Sequence, residues 1–220
     1  TREIASSEPV GKGSRRPMSS LTIALIVIIA VVVIIALIST VFFFGVFPFE
    51  RRIGSGNLVT REEFISDFNS IDASSGFSVV ISQSNTYSVI VTADDNVIDY
   101  VDVSKSGDTL NVGVDWGTIL SSTMLKVEIT MPELSRLELS TGSQGLIEDF
   151  SSDAVSIDLS AGSQLTGYGE TESLDVNLSS GSQLDFSDFM AQNVTIESSG
   201  GSQATINVDG TLNADLSGGS

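Results

Sequence analysis

The second half of the chain repeats itself, and that repetition restricts the fold more than any other feature. In order, the segments are LELSTGSQ (Leu137–Gln144), IDLSAGSQ (Ile157–Gln164), VNLSSGSQ (Val176–Gln183), IESSGGSQ (Ile196–Gln203) and ADLSGGS (Ala214–Ser220). The glycine near the end of each falls at Gly142, Gly162, Gly181, Gly201 and Gly219, a spacing of 18 to 20 residues. A looser copy, IDASSG, precedes them at Ile71–Gly76. A fixed period of this length marks a stacked repeat, and the unit is too short for a helix pair. Val155, Ile157 and Leu159 alternate with polar residues, as do Leu174, Val176 and Leu178, the period of a strand with one buried face. A glycine at the end of each stretch can take positive φ and turn the chain without a Cβ penalty. These features predict an all-β fold, a β-solenoid or β-helix-like stack with coils of about 20 residues. A meander sandwich, with strands every ~8–12 residues, is the alternative; regular apolar alternation argues against a Gly/Ser linker.

Stacking at about 4.8 Å predicts ladders of equivalent residues. Gln144, Gln164, Gln183 and Gln203 form an amide ladder, and Ser140, Ser160, Ser179, Ser199 and Ser217 a hydroxyl ladder beside the corner. Glu138, Asp158, Asn177, Glu197 and Asp215 form an outward column, mostly carboxylate. Like charges facing each other across strands are destabilising, so these side chains either splay into water or take cations between them. Calcium, with its all-oxygen coordination, is the cation such a column would admit; no metal ligand set is otherwise assigned. The preceding region, 64–136, reads as non-repetitive β, with FSVVISQ, YSVIVTA, VIDYVDV, TLNVGV and LKVEITM separated by turn-formers such as SKSGD. TADDN at Thr92–Asn96 resembles a metal-binding loop in isolation, but the same residues serve a type I turn or a helix N-cap.

Between Arg16 and Glu50 there is no charged residue, and Leu21–Phe44 is apolar on every helical face. Its 24 residues at ~1.5 Å rise span roughly 36 Å, enough to cross a hydrocarbon core of about 30 Å with some tilt. A cleaved signal peptide would have a shorter apolar region of about 7–15 residues. The run therefore predicts a single transmembrane helix within 19–49, with Leu21 to Phe44 in the lipid bilayer. Close to its ends, three basic residues stand before it (Lys12, Arg15, Arg16) and two after it (Arg51, Arg52), which leans towards a cytoplasmic N-terminus and an extracytoplasmic C-terminal domain. Residues 1–18 read as a disordered tail and 50–63 as linker and first strand. Residues 137–220 read as solenoid repeats that continue further or are capped by another chain.

Composition narrows the chemistry. The chain has no His and no Cys, removing the commonest general base, the commonest metal ligand and all disulfides. From Arg51 onward six Lys and Arg face 25 Asp and Glu, a net of −19, which would repel nucleic-acid phosphates rather than neutralise them. No residue is assigned a catalytic or cofactor-binding role. A polysaccharide-degrading enzyme would draw on carboxylate pairs such as Glu148 with Asp149 or Asp185 with Asp188, but the repeats after Arg136 contain no basic residue to support lyase chemistry. Asn177-Leu-Ser179 and Asn193-Val-Thr195 are N-glycosylation sequons if the domain is exported.

GSGNLVTREEFISDFNSIDASSGFSVVISQ at Gly54–Gln83 and VTADDNVIDYVDVSKSGDTLNVGV at Val91–Val114, followed by the LSTGSQ-type repeats, resemble the putative auto-transporter adhesin, head GIN-domain family. The resemblance covers about Arg51 to Ser220 and implies an exported, surface-facing all-β domain with β-helix-like stacking. The expected function is that of a membrane-anchored, surface-exposed binding, adhesion or cell-envelope structural module, not an enzyme. Glycans, cell-envelope material or proteins are the expected partners, with self-association through the last coil. An accessory or assembly subunit of a larger membrane complex or filament is the alternative.

Overall fold

The structure, a computed structural model, describes residues 29–36, 50–121 and 123–220. The chain divides into two units, Thr1–Pro48 and Phe49–Ser220. In the first, residues 29–36 are helical, and the side chains of Ile29, Val31, Val32, Val33, Ile34 and Ile35 are about half exposed. The tail at 1–18 and the remainder of Leu21–Phe44 lie outside the described residues. Among the described residues no helix is long and apolar enough to cross a membrane.

The second unit is all-β. Its strands are β1 (Glu50–Ile53), β2 (Leu58–Glu63), β3 (Ser70–Ala73), β4 (Ser78–Gln83), β5 (Ser88–Asp94), β6 (Val101–Ser106) and β7 (Thr109–Val114), followed by β8 (Thr118–Ser121), β9 (Leu125–Met131) and β10 (Arg136–Leu139). Four long strands complete it: β11 (Gln144–Leu159), β12 (Gln164–Leu178), β13 (Gln183–Ser198) and β14 (Gln203–Leu216). β1 and β8 form a separate two-stranded parallel sheet. The long strands pair parallel and in register, so that Gln144, Gln164, Gln183 and Gln203 are successive partners. The inward residues are those the alternation identified: Val155, Ile157, Leu159, Leu174, Val176 and Leu178 are all buried.

Each long strand shifts register once or more near its middle, for example between Ile147 and Phe150 or between Thr166 and Tyr168. On its other edge, β11 divides between two neighbours. The first half of β11 lies against β4, which pairs with β9, whereas its last residues lie against β10, which pairs with β3 and then β7. The apolar interior is continuous, with Phe77, Phe150, Phe186 and Phe189 among its largest fully buried side chains. Phe186 and Phe189 stack with ring centroids 4.6 Å apart. Gly167 makes room for that pair: a Cβ there would lie 2.5 Å from the Phe186 ring.

The Ser-x-Gly-Ser segments close each copy as tight turns with two consecutive positive-φ residues. Thr141 and Gly142 have φ of 54° and 75°, Ala161 and Gly162 51° and 75°, and Ser180 and Gly181 56° and 77°, the pattern of a type I′ turn. This demand explains the invariable glycine at the second place and the small or polar residue before it.

VIDYVDV is not one strand, as its composition suggested. Val97 N–H donates to the Asp94 carbonyl at 2.9 Å, and a 3₁₀ turn at Ile98–Tyr100 precedes β6. The Arg61 guanidinium holds that turn, donating to the carbonyls of Ile98 and Val101, each at 2.8 Å.

Candidate functional site

The outward side chains of the second half-strands align into one column. Through successive parallel pairings it runs Asn111, Asp72, Glu138, Asp158, Asn177, Glu197, Asp215. The sequence motif locates the last five, and the pairing of β3 and β7 adds two. At strand spacing of about 4.8 Å the column is roughly 29 Å long. A hollow of about 420 Å³ lies along it, lined by Glu138, Asp158, Asn177, Glu197 and Asp215 and by Ser160, Ser179, Ser199 and Ser217, two residues further along each chain segment. Residues of the expected hydroxyl ladder thus line the hollow. A second hollow, of about 380 Å³, continues along Asp72, Asn111 and Glu138.

Repulsion within the column is relieved near its middle. Arg136, in the adjacent outward position, meets Glu138 at 3.2 Å and Asp158 at 2.8 Å. The Asn177 amide donates to Asp158 at 3.1 Å. Partial burial raises the Asp72 carboxyl above its ordinary pKa, the Glu138 carboxylate adds to the rise, and Arg136 partly offsets it. Glu197 and Asp215 are exposed. Among the described residues no group of three or more acidic side chains converges to hold a metal ion.

The serines that fasten the turns are those before glutamine, Ser143, Ser163, Ser182 and Ser202, all with 0% exposure. Ser143, Ser182 and Ser202 donate their hydroxyls to the carbonyls of Ser140, Ser179 and Ser199 at 2.8, 2.6 and 2.8 Å. Ser163 donates instead to the Leu139 carbonyl of the preceding turn, at 2.9 Å. Sequence reasoning missed these residues, although the strict Gly-Ser-Gln order carried the signal. The glutamines after them are aligned and exposed.

The other singled-out residues do not gather into a second site. In TADDN, Asp94 is buried and accepts hydrogen bonds from Gly56 N–H at 2.6 Å, Met124 N–H at 3.3 Å and the Thr123 hydroxyl. The Thr123 bond, followed by those from the backbone, holds the Asp94 carboxyl below its usual pKa despite burial. Asp95 accepts from the Ser55 hydroxyl, and Asn96 bonds Ser55 N–H and the Ile53 carbonyl; the segment is a structural turn. Asp185 is held below its usual pKa by the hydroxyl and N–H of Ser187. Asp149 and Asp188 line a shallow hollow with Tyr168 and Glu170, whereas Glu148 accepts from Ser82 at 3.0 Å. Of the two sequons, Asn177 is half-buried in the column, while Asn193 is exposed, donating to the Glu172 carbonyl and accepting from Thr211.

Residues 67–220 match the family described as putative auto-transporter adhesin, head GIN domain. No curated protein matches the chain in sequence. Among the solved structures similar to it are two from the genera Bacteroides and Parabacteroides. One, described as a putative adhesin from Bacteroides fragilis, has a TM-score of 0.55 and 18% identity, covering 76% of this chain and 95% of its own. The other, described as a putative lipid binding protein from Parabacteroides distasonis, has a TM-score of 0.53 and 17% identity, covering 77% of this chain and 97% of its own. At these identities the likeness speaks to the fold.

Proposed function

Because this chain belongs to the putative auto-transporter adhesin, head GIN domain family, we propose that it is a membrane-anchored, surface-displayed and non-enzymatic binding module. In this reading the β-domain Phe49–Ser220, with residues 137–220 as its β-solenoid of stacked coils, is displayed outside the cell. Leu21–Phe44 is its transmembrane tether, with the N-terminus in the cytoplasm. The observation that carries the proposal is the aligned column of carboxylates and amides that lines an open hollow together with a row of serines beside it. Such a surface offers acceptors and donors at regular strand spacing, which suits an extended hydroxyl-rich ligand, a glycan of the cell envelope or of a neighbouring surface. Affinity would come from repeated weak polar contacts along the hollow rather than from one deep pocket.

The test is a glycan array probed with the detergent-solubilised full chain, beside a Glu138→Ala/Asp158→Ala/Asn177→Ala variant. Binding that disappears in the variant supports the reading. Binding that survives the loss of all three side chains sinks it. Self-association is the companion proposal: β14 pairs on one side with β13, and Leu212 and Leu216 on it are more than half exposed. Light scattering that finds only a monomer in detergent removes it.

A further inference from the structure

We propose that the small β1–β8 sheet is a foot that docks the β-domain onto the lipid headgroup layer. The inference rests on the membrane-anchor reading above and adds a second contact with the bilayer, made by the folded domain itself.

Register gives the sheet two unlike faces. Arg52 pairs with Leu120, and Arg51 with Ile119, with Ile53 beside Ser121. Leu120 packs against the core, and Arg52 lies over the Tyr100 ring with its guanidinium carbon 4.2 Å from the centroid. That is the inner face. On the outer face are Arg51, Ile53 and Ile119, with the two isoleucines 62% and 48% exposed. Arg51 donates to the Ser121 hydroxyl at 3.4 Å across this same face. Trp116, two residues before β8, is 80% exposed.

Tryptophan, isoleucine and arginine together make the composition of a membrane–water interface: an amphipathic ring, aliphatic footing and a cation for phosphate. Of the six Lys and Arg from Arg51 onward, Arg51 supplies the cation of this outer face, while Arg52 is turned inward over Tyr100. Glu50 at the start of β1 and exposed Asp115 offset that charge, so the face meets the bilayer chiefly through its apolar side chains.

Chain reach supplies the occupant. The tether of that reading ends at Phe44, seven residues before Arg51, at most about 25 Å of extended chain. If the run spans the bilayer, its end meets a headgroup layer several Å deep on each side of the hydrocarbon. β1 is then within reach of that layer. Ile53, Ile119 and Trp116 already stand exposed in the fold.

Trp116 is the sole tryptophan of the chain, so its fluorescence reports the foot alone. The full chain is reconstituted into phosphatidylcholine–phosphatidylglycerol vesicles with or without brominated phosphatidylcholine, which quenches tryptophan by contact. Docking predicts that bromination at least halves Trp116 emission. It also predicts that Ile53→Ser/Ile119→Ser, which leaves the tether intact, abolishes most of that quenching while the far-ultraviolet circular dichroism stays unchanged. Wild-type emission untouched by bromine, in a chain that resists extraction by alkaline carbonate, overturns docking while leaving the anchor standing. Equal quenching in wild type and variant also overturns it, since proximity would then come from the tether. A chain that washes off the vesicles in carbonate overturns the anchor and docking together.

Discussion

Alanine at Gly169 and alanine at Gly162 should separate two reasons for having glycine in this stack. Gly162 has φ of +75° and nothing within 4 Å of where a Cβ would stand. Its replacement pays only for a left-handed backbone, about 1–2 kcal/mol. Gly169 has φ of +143°, and a Cβ there would lie 2.8 Å from the Phe150 nitrogen and 2.9 Å from its carbonyl carbon, with the carbonyl oxygen nearer still. Phe150 is the ladder partner of Gly169 where β11 resumes pairing with β12 after its register shift. The obstruction is backbone, so no side-chain rotation relieves it. Strain at a backbone conformation that disfavours side chains costs about 1–3 kcal/mol. Displacing Phe150 weakens two or so ladder hydrogen bonds at about 1 kcal/mol each. Gly169→Ala should therefore cost about 3–5 kcal/mol in all, some 2–3 kcal/mol more than Gly162→Ala. Urea unfolding of the full chain in detergent, followed by far-ultraviolet circular dichroism, measures both. Equal midpoints for the two variants would mean that the corner at Gly169 is loosely packed, and the account of the register shift would be wrong.

Gly167→Ala should destabilise by about 1–3 kcal/mol through overpacking, and adding Phe186→Leu should recover part of that loss, because the Phe186 ring is what the new methyl meets; additive costs would refute the contact. Ser198 occupies the column of Leu178 and Leu216, and its buried hydroxyl has no partner, so Ser198→Ala should stabilise, by about 1 kcal/mol, in the same unfolding assay. The raised Asp72 carboxyl contributes stability below its unfolded pKa of about 3.8 that is lost as pH rises through the higher folded value; Asp72→Asn should remove that loss, and a pH–stability slope identical to wild type would contradict the assignment. Asp94, whose folded pKa is depressed, acts in the opposite sense: its contribution is present above the unfolded value and fades as pH falls through the folded one, so Asp94→Asn should narrow the gap between stability at neutral and at acid pH.

The stack was legible in the sequence because its period-two alternation and its turn chemistry agree. Ile157, Val176 and Ile196 announce buried positions, and Gly142, Gly162 and Gly181 announce positive φ; both follow from local sterics. The column from Glu138 to Asp215 follows once the copies are set in register. Asp72 was within sight in the looser copy IDASSG, at the place Asp158 holds in IDLSAGSQ, whereas Asn111 joins the column only through the pairing of β7 with β3, with no shared motif. Ser143 and its equivalents were passed over because serine at a turn is ordinary, and only tertiary packing shows that these hydroxyls are buried. The 3₁₀ turn at Ile98–Tyr100 escaped for the same reason: Arg61, distant in sequence, caps its carbonyls. The foot was hidden too, since Arg51 and Ile119 become neighbours only through parallel pairing across nearly seventy residues.

A stack that aligns every copy also aligns every charge, and the two requirements pull against each other. Inward positions gain from repetition, because identical apolar residues one strand apart bury one another. Outward carboxylates lose by it, since like charges at strand spacing repel. The chain does not abolish the conflict by making the column neutral. It inserts Asn177, whose amide donates to Asp158, and places Arg136 where one guanidinium reaches both Glu138 and Asp158. Exposed ion pairs of this kind are worth little as stabilisers, about 0–1 kcal/mol, so stability alone is a weak reason to retain the carboxylates beside them. Serine or threonine would fit the same outward places without repulsion, as Ser156 and Thr195 do in the neighbouring row. Retaining acceptors at Glu138, Asp158, Glu197 and Asp215 makes physical sense when something outside the fold is to be held along them.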